Sequence, residues 1–419
     1  MSAPDHLPDY DAIVVGAGPA GSTCAHLLAR AGKKVLVLEK DAFPRFRIGE
    51  SLLPYSTPIF ARLGVLDELK SKYQHKYGAY FSEEGKEGSR KVVFAHGLTP
   101  GYGLAFQAKR AELDQMLIDA AARAGAEIRF QWKVTAFQKQ DGRIEGVLAR
   151  SPSGETRRIS SRVVVDATGR QALGARGEGA AVPEDKLRRG ALFAHYRNVP
   201  RGPEESEGDI RMVIFDKGWW WFIPFSDSTW SIGVVSGEMP AGASLEDRFD
   251  ALVASTPTVH TRLSRSERIT PVMAESDYSY SVRSIVANGY LAIGDAAGFL
   301  DPIFSSGVFL AMSTGEKAAD EICRILSRRP TVRAADLKRY EKFAMRGFKE
   351  FRKYVVGFYN PGFRDLFYQR PPLRPLYTAV TSVLAGGVFA RNLPLRFWSR
   401  TFLFFVGREM RRRAAETLP

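Results

Sequence analysis

The 419-residue sequence predicts an α/β protein: a parallel sheet laid down in separated pieces, a β-rich unit interleaved with it, and a helical block at the end. Three observations predict it. Residues 10–40 read as strand, glycine turn, helix and strand. Turn-punctuated β-rich stretches fill about 126–150 and 190–285. After 333 the pattern is helical, broken at "NPGF" and "RPPLRP".

The first unit is "DAIVVGAGPAGSTCAHLLARAGKKVLVLEK". Residues 11–15 are short, apolar and β-branched, 20–31 carry Ala and Leu at helical spacing, and 35–38 are a second buried strand. A strand–helix–strand of this length makes a parallel pair. Gly16, Gly18 and Gly21 form GxGxxG between strand and helix. The first allows the tight turn, the second lets the backbone approach a pyrophosphate, and the third lets the helix pack on the strand. Glu39 ends the second strand, where a carboxylate can accept from ribose hydroxyls. This reads as a dinucleotide site, with the choice between FAD and NAD left open.

Residues 108–125 predict an amphipathic helix with Leu113, Leu117 and Ala121 on one face. "YLAIGDAAG" (290–298) is a buried strand ending in an acid, and a long helix is predicted over about 308–326. Between them stands "FLDPIFSSG" (299–307), a small-residue turn. A helix N-terminus placed there attracts negative charge, so an anion is expected at it. The boundaries that follow are 1–80 for the first part of the dinucleotide-binding unit, 81–107 for a substrate-unit segment, 108–175 for the second dinucleotide-binding part, 176–285 for the β-rich substrate unit, 286–330 for the third dinucleotide-binding part and 331–419 for a basic helical region.

Composition narrows the partners. Cys24 and Cys323 offer neither a disulfide framework nor a metal cluster, which fits a reducing cytoplasm, and no metal is expected. "MSAPDHLPDYD" lacks the basic start and apolar core of a signal peptide. Net charge is +14, and residues 341–419 hold 15 Lys/Arg against 5 Asp/Glu. Such a surface suits an acidic partner. No zinc knuckle, helix-turn-helix or RNP-type motif supports nucleic acid. The apolar stretch from Leu376 to Ala390 is too short to span a bilayer. "RFWSRTFLFFVGREMRRR" leaves room for weak membrane contact, although a helical block with solvated arginines is the favoured reading.

"VVVDATGR" (163–170) and "GDAAGFLDP" (294–302) resemble the second and third signatures of the flavoprotein monooxygenase fold, which turns the open choice toward FAD. "PRFRIGESLLP" (44–54), "HKYGAYF" (75–81), "WWWFIP" (219–224) and "FLDPIFSSG" resemble flavin-dependent halogenases, most closely the pyrrole and phenol branch, from residue 10 to about 326. The resemblance implies a glutathione-reductase-type, Rossmann-like FAD-binding fold. It implies flavin contacts from Gly16, Gly18, Ala20, Gly21, Glu39, Lys40, Arg47, Ser51, Arg110, Asp166, Gly294, Asp295, Pro302 and Gly307. It implies a halide held by the backbone N–H groups of Ser306 and Gly307, a substrate cavity walled by Trp219 and Trp221 with Phe304 nearby, and Lys76 as the residue that delivers electrophilic halogen.

Strand alternation alone puts Trp219 and Trp221 on one face and Trp220 on the other. Tryptophan halogenases carry a glutamate where this chain has Phe304, so the resemblance points to electron-rich phenols or pyrroles, free or tethered to an acidic carrier protein. No second GxGxxG is present, so no dedicated nicotinamide domain is expected, although this fold can reduce its flavin from NAD(P)H without one; the halogenase resemblance implies a separate flavin reductase. Two other activities compete: an aromatic hydroxylase, and a geranylgeranyl-reductase-like oxidoreductase sharing a "PRxxIGE"-like segment.

Overall fold

A computed structural model describes residues 8–416 apart from 88, 185–186, 203–204, 277–278, 369–373 and 391. All of the opening "MSAPDHL" and part of "RPPLRP" therefore lie outside the described residues.

Apolar β-branched runs build the first sheet. Tyr10–Val15 lies between Val35–Glu39 and Thr156–Asp166, and Glu127–Phe130 and Tyr290–Ala292 extend it on the two sides, all five strands parallel. The register aligns Val15 with Leu38 and with Asp166. The strands' carboxyl ends thus open one crevice, the usual ligand position of such sheets. Helix Pro19–Arg30 begins at that crevice, and Arg110–Arg123 and Ser306–Leu326 pack beside it. A meander of Lys133–Gln140 and Arg143–Arg150 pairs with the first half of Thr156–Asp166.

The second sheet runs in the order Glu267–Arg268, Gly190–Arg197, Trp230–Ser236, Gly218–Pro224, Ile210–Phe215, Gly78–Glu83 and Ser89–Val93. Its early segment starts at Gly78, inside the span assigned to the first dinucleotide-binding part. Two helices, Leu245–Ala254 and Pro257–Leu263, interrupt the β-rich stretch over 190–285. Ser244 and Asp247 form a capping box at the start of the first. These helices cover the sheet's outer face, where Trp220 packs edge-on against Phe249 at 5.3 Å and donates to Thr256 Oγ1 at 3.1 Å. Trp219 and Trp221 face the main core instead. The predicted alternation is what the sheet shows.

The C-terminal block is helical as expected. Lys338–Phe358 packs on Ser306–Leu326, and Arg374–Leu384 packs on Leu393–Glu416. Among the described residues no helix is long and apolar enough to cross a membrane.

Candidate active site

The crevice widens into a cavity of about 730 Å³, shared between the parallel sheet, the second sheet and the turn before Ser306. Gly16 sits at its head with φ +107°, and a Cβ there would meet Ala167 O at 2.4 Å. At Gly18 the nearest atom to a Cβ is Arg45 Nη2, at 3.7 Å, so open space lies over this backbone. Gly21 serves packing: a Cβ would stand 1.9 Å from Gly16 O. Glu39 Oε2 accepts from Ala17 N at 2.8 Å and Oε1 from Asp41 N at 2.9 Å. Each oxygen keeps a lone pair for a ribose hydroxyl.

Of the expected flavin contacts, Gly16, Gly18, Ala20, Glu39, Lys40, Arg47, Ser51, Arg110, Asp295, Pro302 and Gly307 line the cavity. Gly21, Asp166 and Gly294 do not. The Asp166 carboxylate is consumed inside the fold: it accepts from Thr168 N, Thr168 Oγ1, Gly174 N and the Tyr290 hydroxyl, at 2.6–3.0 Å. It braces the turn Ala167–Gln171, which does line the cavity. Gly294, at φ +58°, provides close approach, since a Cβ would lie 2.9 Å from Ala20 Cβ.

Arg110 is buried at the start of its helix and not at the surface. Nε and Nη2 donate to Asp114 at 2.8 and 3.0 Å, and Nη1 donates to Ile48 O at 2.8 Å. Arg45 shares the same carboxylate at 2.7 Å. Desolvation in the cleft pushes the Asp295 carboxyl up to about 6, against the pull of the Arg170 and Arg110 guanidiniums.

The turn before the long helix leaves the helix N-terminus open to the cavity. Ser305 is left-handed, at φ 54° and ψ 26°, and makes no side-chain cap. No acidic residue stands in the first turn of Ser306–Leu326. The first N–H groups of a 21-residue helix therefore lack an intrahelical or capping acceptor at the cavity wall.

Phe304 departs from expectation. It does not line the cavity; its ring packs edge-on against Phe358 of the C-terminal block, at 5.5 Å. The short helical turn Pro302–Phe304 aims it away from the crevice.

Lys76 is 1% exposed. Strand Gln74–Lys76 pairs with Ala105–Gln107, and the amine lies 5.2 Å from the Phe94 ring centroid. Nζ donates to Ser51 Oγ at 2.8 Å and to Leu52 O at 3.0 Å. Burial pulls its pKa down from 10.5 to about 7, with Asp209 opposing. Lys76 does not itself line the cavity, whereas Ser51 does. The amine is thus one hydrogen bond behind the wall.

Sequence reasoning missed three groups here. Arg45 stood inside the quoted "PRFRIGES" segment, as did Glu50, whose Oε1 bonds His195 Nε2 at 3.0 Å. Asp301 stood inside "FLDP"; its carboxylate accepts from Ile303 N at 3.0 Å and from the Tyr359 hydroxyl at 2.7 Å.

Comparison with known proteins decides the family. The tryptophan halogenase profile matches residues 11–99 and 84–368. The chain belongs to the tryptophan halogenase family. A 1H-pyrrole-2-carbonyl-(peptidyl-carrier protein) chlorinase of Pseudomonas fluorescens is 30% identical over 385 residues, 85% of this chain and 84% of the relative. The corresponding brominase of Pseudoalteromonas luteoviolacea is 34% identical over 321 residues, 75% and 77% of the two chains. Among solved structures, flavin-dependent brominase Bmp2 superposes with a TM-score of 0.83 at 26% identity, covering 95% of this chain and 99% of that one. The myxobacterial chondrochloren halogenase CndH gives 0.78 at 30% identity, covering 94% and 97%. This halogenase is an FAD-dependent enzyme of the pyrrole branch, and halogenation displaces the hydroxylase and reductase alternatives. The family's name does not state this member's substrate.

Proposed function

We propose that this halogenase transfers electrophilic halogen, by way of Lys76, to an electron-rich pyrrole or phenol. One observation carries the reading: a fully buried amine, drawn toward neutrality, is bonded to Ser51 on the wall of the crevice. Bound in its reduced form, FAD would supply two electrons to oxygen, and the oxygen so activated would oxidise halide to hypohalous acid. The chain's own residues do the rest. Gly16 and Gly18 leave room for the pyrophosphate, with Gly21 and Gly294 packing the elements around it. Glu39 accepts from the ribose, and Asp295 faces the ribityl and pyrophosphate. Arg110, Arg47, Lys40, Ala20, Ser51 and Pro302 complete the cradle, and Asp166 holds the turn behind it. Ser306 and Gly307 give N–H donors to the halide. Trp219 and Trp221 keep the aromatic substrate away from the oxidant's source, while Lys76 holds the hypohalous acid, as a hydrogen-bond donor or as an N-halogenated amine, against the ring.

Position 304 presents neither a carboxylate nor any side chain to the cavity, which supports a ring that needs no strong base to lose its proton. The pyrrole-carrier relatives and the basic 341–419 segment support a substrate tethered to an acidic carrier protein. The single GxGxxG supports the absence of a dedicated nicotinamide domain, and the reading includes a separate flavin reductase as the electron source. The free Cys24 and Cys323 suit the cytoplasm.

The test is Lys76→Ala, assayed with reduced flavin, oxygen, bromide and an electron-rich phenol. The variant is expected to bind FAD and reoxidise reduced flavin at near wild-type rate. Its halogenated product, measured by mass, falls by about three orders of magnitude or more, because the lost interaction exists only on the productive path. Lys72→Ala is the neighbouring control. Equal halogenation by Lys76→Ala and wild type would remove Lys76 from the mechanism.

A further inference from the structure

The turn from Asp301 to Ser305 is gripped from outside the flavin-binding unit. Helix Lys338–Phe358 ends beside it, and two consecutive residues there take hold of two parts of the turn. Phe358 packs on the Phe304 ring. Tyr359 donates its hydroxyl proton to Asp301 Oδ2 at 2.7 Å, and the other Asp301 oxygen accepts from Ile303 N. Trp219 Nε1 in turn donates to the Tyr359 hydroxyl oxygen at 3.0 Å. The Arg189 guanidinium lies over the Tyr359 ring, 3.8 Å from its centroid. Trp219, Asp301 and Ile303 all line the active-site cavity. Three chain segments with no sequence proximity thus meet at one hydroxyl.

We propose that Tyr359 is a positioning residue that ties the Trp219 wall to the halide turn. The inference rests on the reading of Ser306 and Gly307 as halide donors. The Asp301 carboxylate is 1% exposed and needs both donors. With Tyr359 in place, Asp301 holds Ile303, and through it the two residues that lead to Ser306. At the other end, the same hydroxyl oxygen fixes the indole N–H, and so the orientation of the ring that separates oxidant from substrate. Halide affinity and oxidant containment therefore share one group, and each end can be cut separately. Tyr359→Phe cuts both ends while keeping the ring under Arg189. Trp219→Phe cuts only the indole end and leaves Tyr359 on Asp301.

Two measurements on the FAD-loaded protein test this. Bromide is titrated against flavin fluorescence, which requires no turnover. Oxidant escape is then measured as halogenation of a freely diffusing 1,3-diketone scavenger relative to enzyme product. Tyr359→Phe should bind bromide about three- to tenfold more weakly, the size of one ordinary hydrogen bond's net contribution. It should also divert a larger share of oxidant to the scavenger. Trp219→Phe should raise escape with bromide affinity unchanged, and the double variant should match Tyr359→Phe in both readouts. Wild-type bromide affinity in Tyr359→Phe would overturn the proposal, as would additive losses in the double variant. Should Tyr359→Phe fail to load FAD, a Trp219→Phe protein that weakens bromide or leaks no oxidant would overturn it equally. A wild-type protein with no saturable bromide response would instead refute the halide site itself, and the proposal with it.

Discussion

Replacing Lys76 with methionine should stabilise the flavin-free protein at low pH, and the gain should shrink as pH rises. The burial that lowers the amine from 10.5 to about 7 costs about 5 kcal/mol whenever the folded state holds the proton. Below about pH 7 both folded and unfolded chains are protonated, so the full penalty applies. Between about 7 and 10.5 the unfolded chain binds a proton that the folded chain lacks, and wild-type stability climbs with pH. At pH 9 about 2 kcal/mol of the penalty remains. Methionine fills nearly the same volume without a charge, but it leaves Leu52 O without the donor it has at 3.0 Å, an opposing cost of about 1–3 kcal/mol independent of pH. Lys76→Met should therefore exceed wild type by about 2–4 kcal/mol at pH 6 and fall to near parity at pH 9. Urea unfolding of both proteins at the two pH values measures the gap, and every other titrating group cancels in the difference. A gap that stays constant within about 1 kcal/mol from pH 6 to 9 would refute the claim that Lys76 is buried at the expense of its charge.

Gly18→Val should abolish FAD loading while leaving the fold intact, because its side chain would enter open space rather than protein; full flavin content after purification would refute the pyrophosphate assignment. Free tryptophan should be a poor substrate beside phenolic and pyrrolic rings in a competition assay read by mass, since Phe304 supplies no base; efficient chlorination of tryptophan would overturn the substrate reading.

What could be read from the sequence was local. The GxGxxG unit and its flanking strands follow from periodicity, and the three consecutive tryptophans from strand alternation, because both are fixed by backbone geometry over a few residues. The helices at Leu245–Ala254 and Pro257–Leu263 carried a signal in the Ser244–Asp247 cap, but they are short and lie between strands. Lys76 is different. Nothing beside it forecasts burial; that comes from pairing with Ala105–Gln107 and from the Phe94 ring, both set by tertiary structure. The direction of Phe304 and the arrival of Tyr359 depend likewise on where the C-terminal block docks, across more than 50 residues of chain.

The composition of the cavity wall has a chemical logic of its own. Electrophilic halogen attacks thiols, thioethers, phenols, imidazoles and indoles; among the described lining residues none is Cys, Met, Tyr or His, while three are tryptophans. Cys24 is a buried residue of the first helix and does not line the cavity. Tyr359 approaches the wall but presents its hydroxyl to Asp301 and Trp219, with Arg189 over its ring. Glu50, which does line the cavity, stands between it and His195. The aromatic rings left on the wall are Trp132, Trp219, Trp221, Phe299 and Phe348. Of these, Trp221 has its Nε1 tied to Ser231 Oγ at 3.1 Å, as Trp219 is tied to Tyr359, so both indoles of the substrate strand are held in single orientations. Thiols, thioethers, phenols and imidazoles are thus kept off the described wall, and the indoles remain its main competing nucleophiles. The acceptor proposed above is an amine close to neutrality, one hydrogen bond behind Ser51. Burying a lysine at a cost in stability is intelligible on that ground, because an exposed amine would be protonated near pH 7 and unreactive toward halogen.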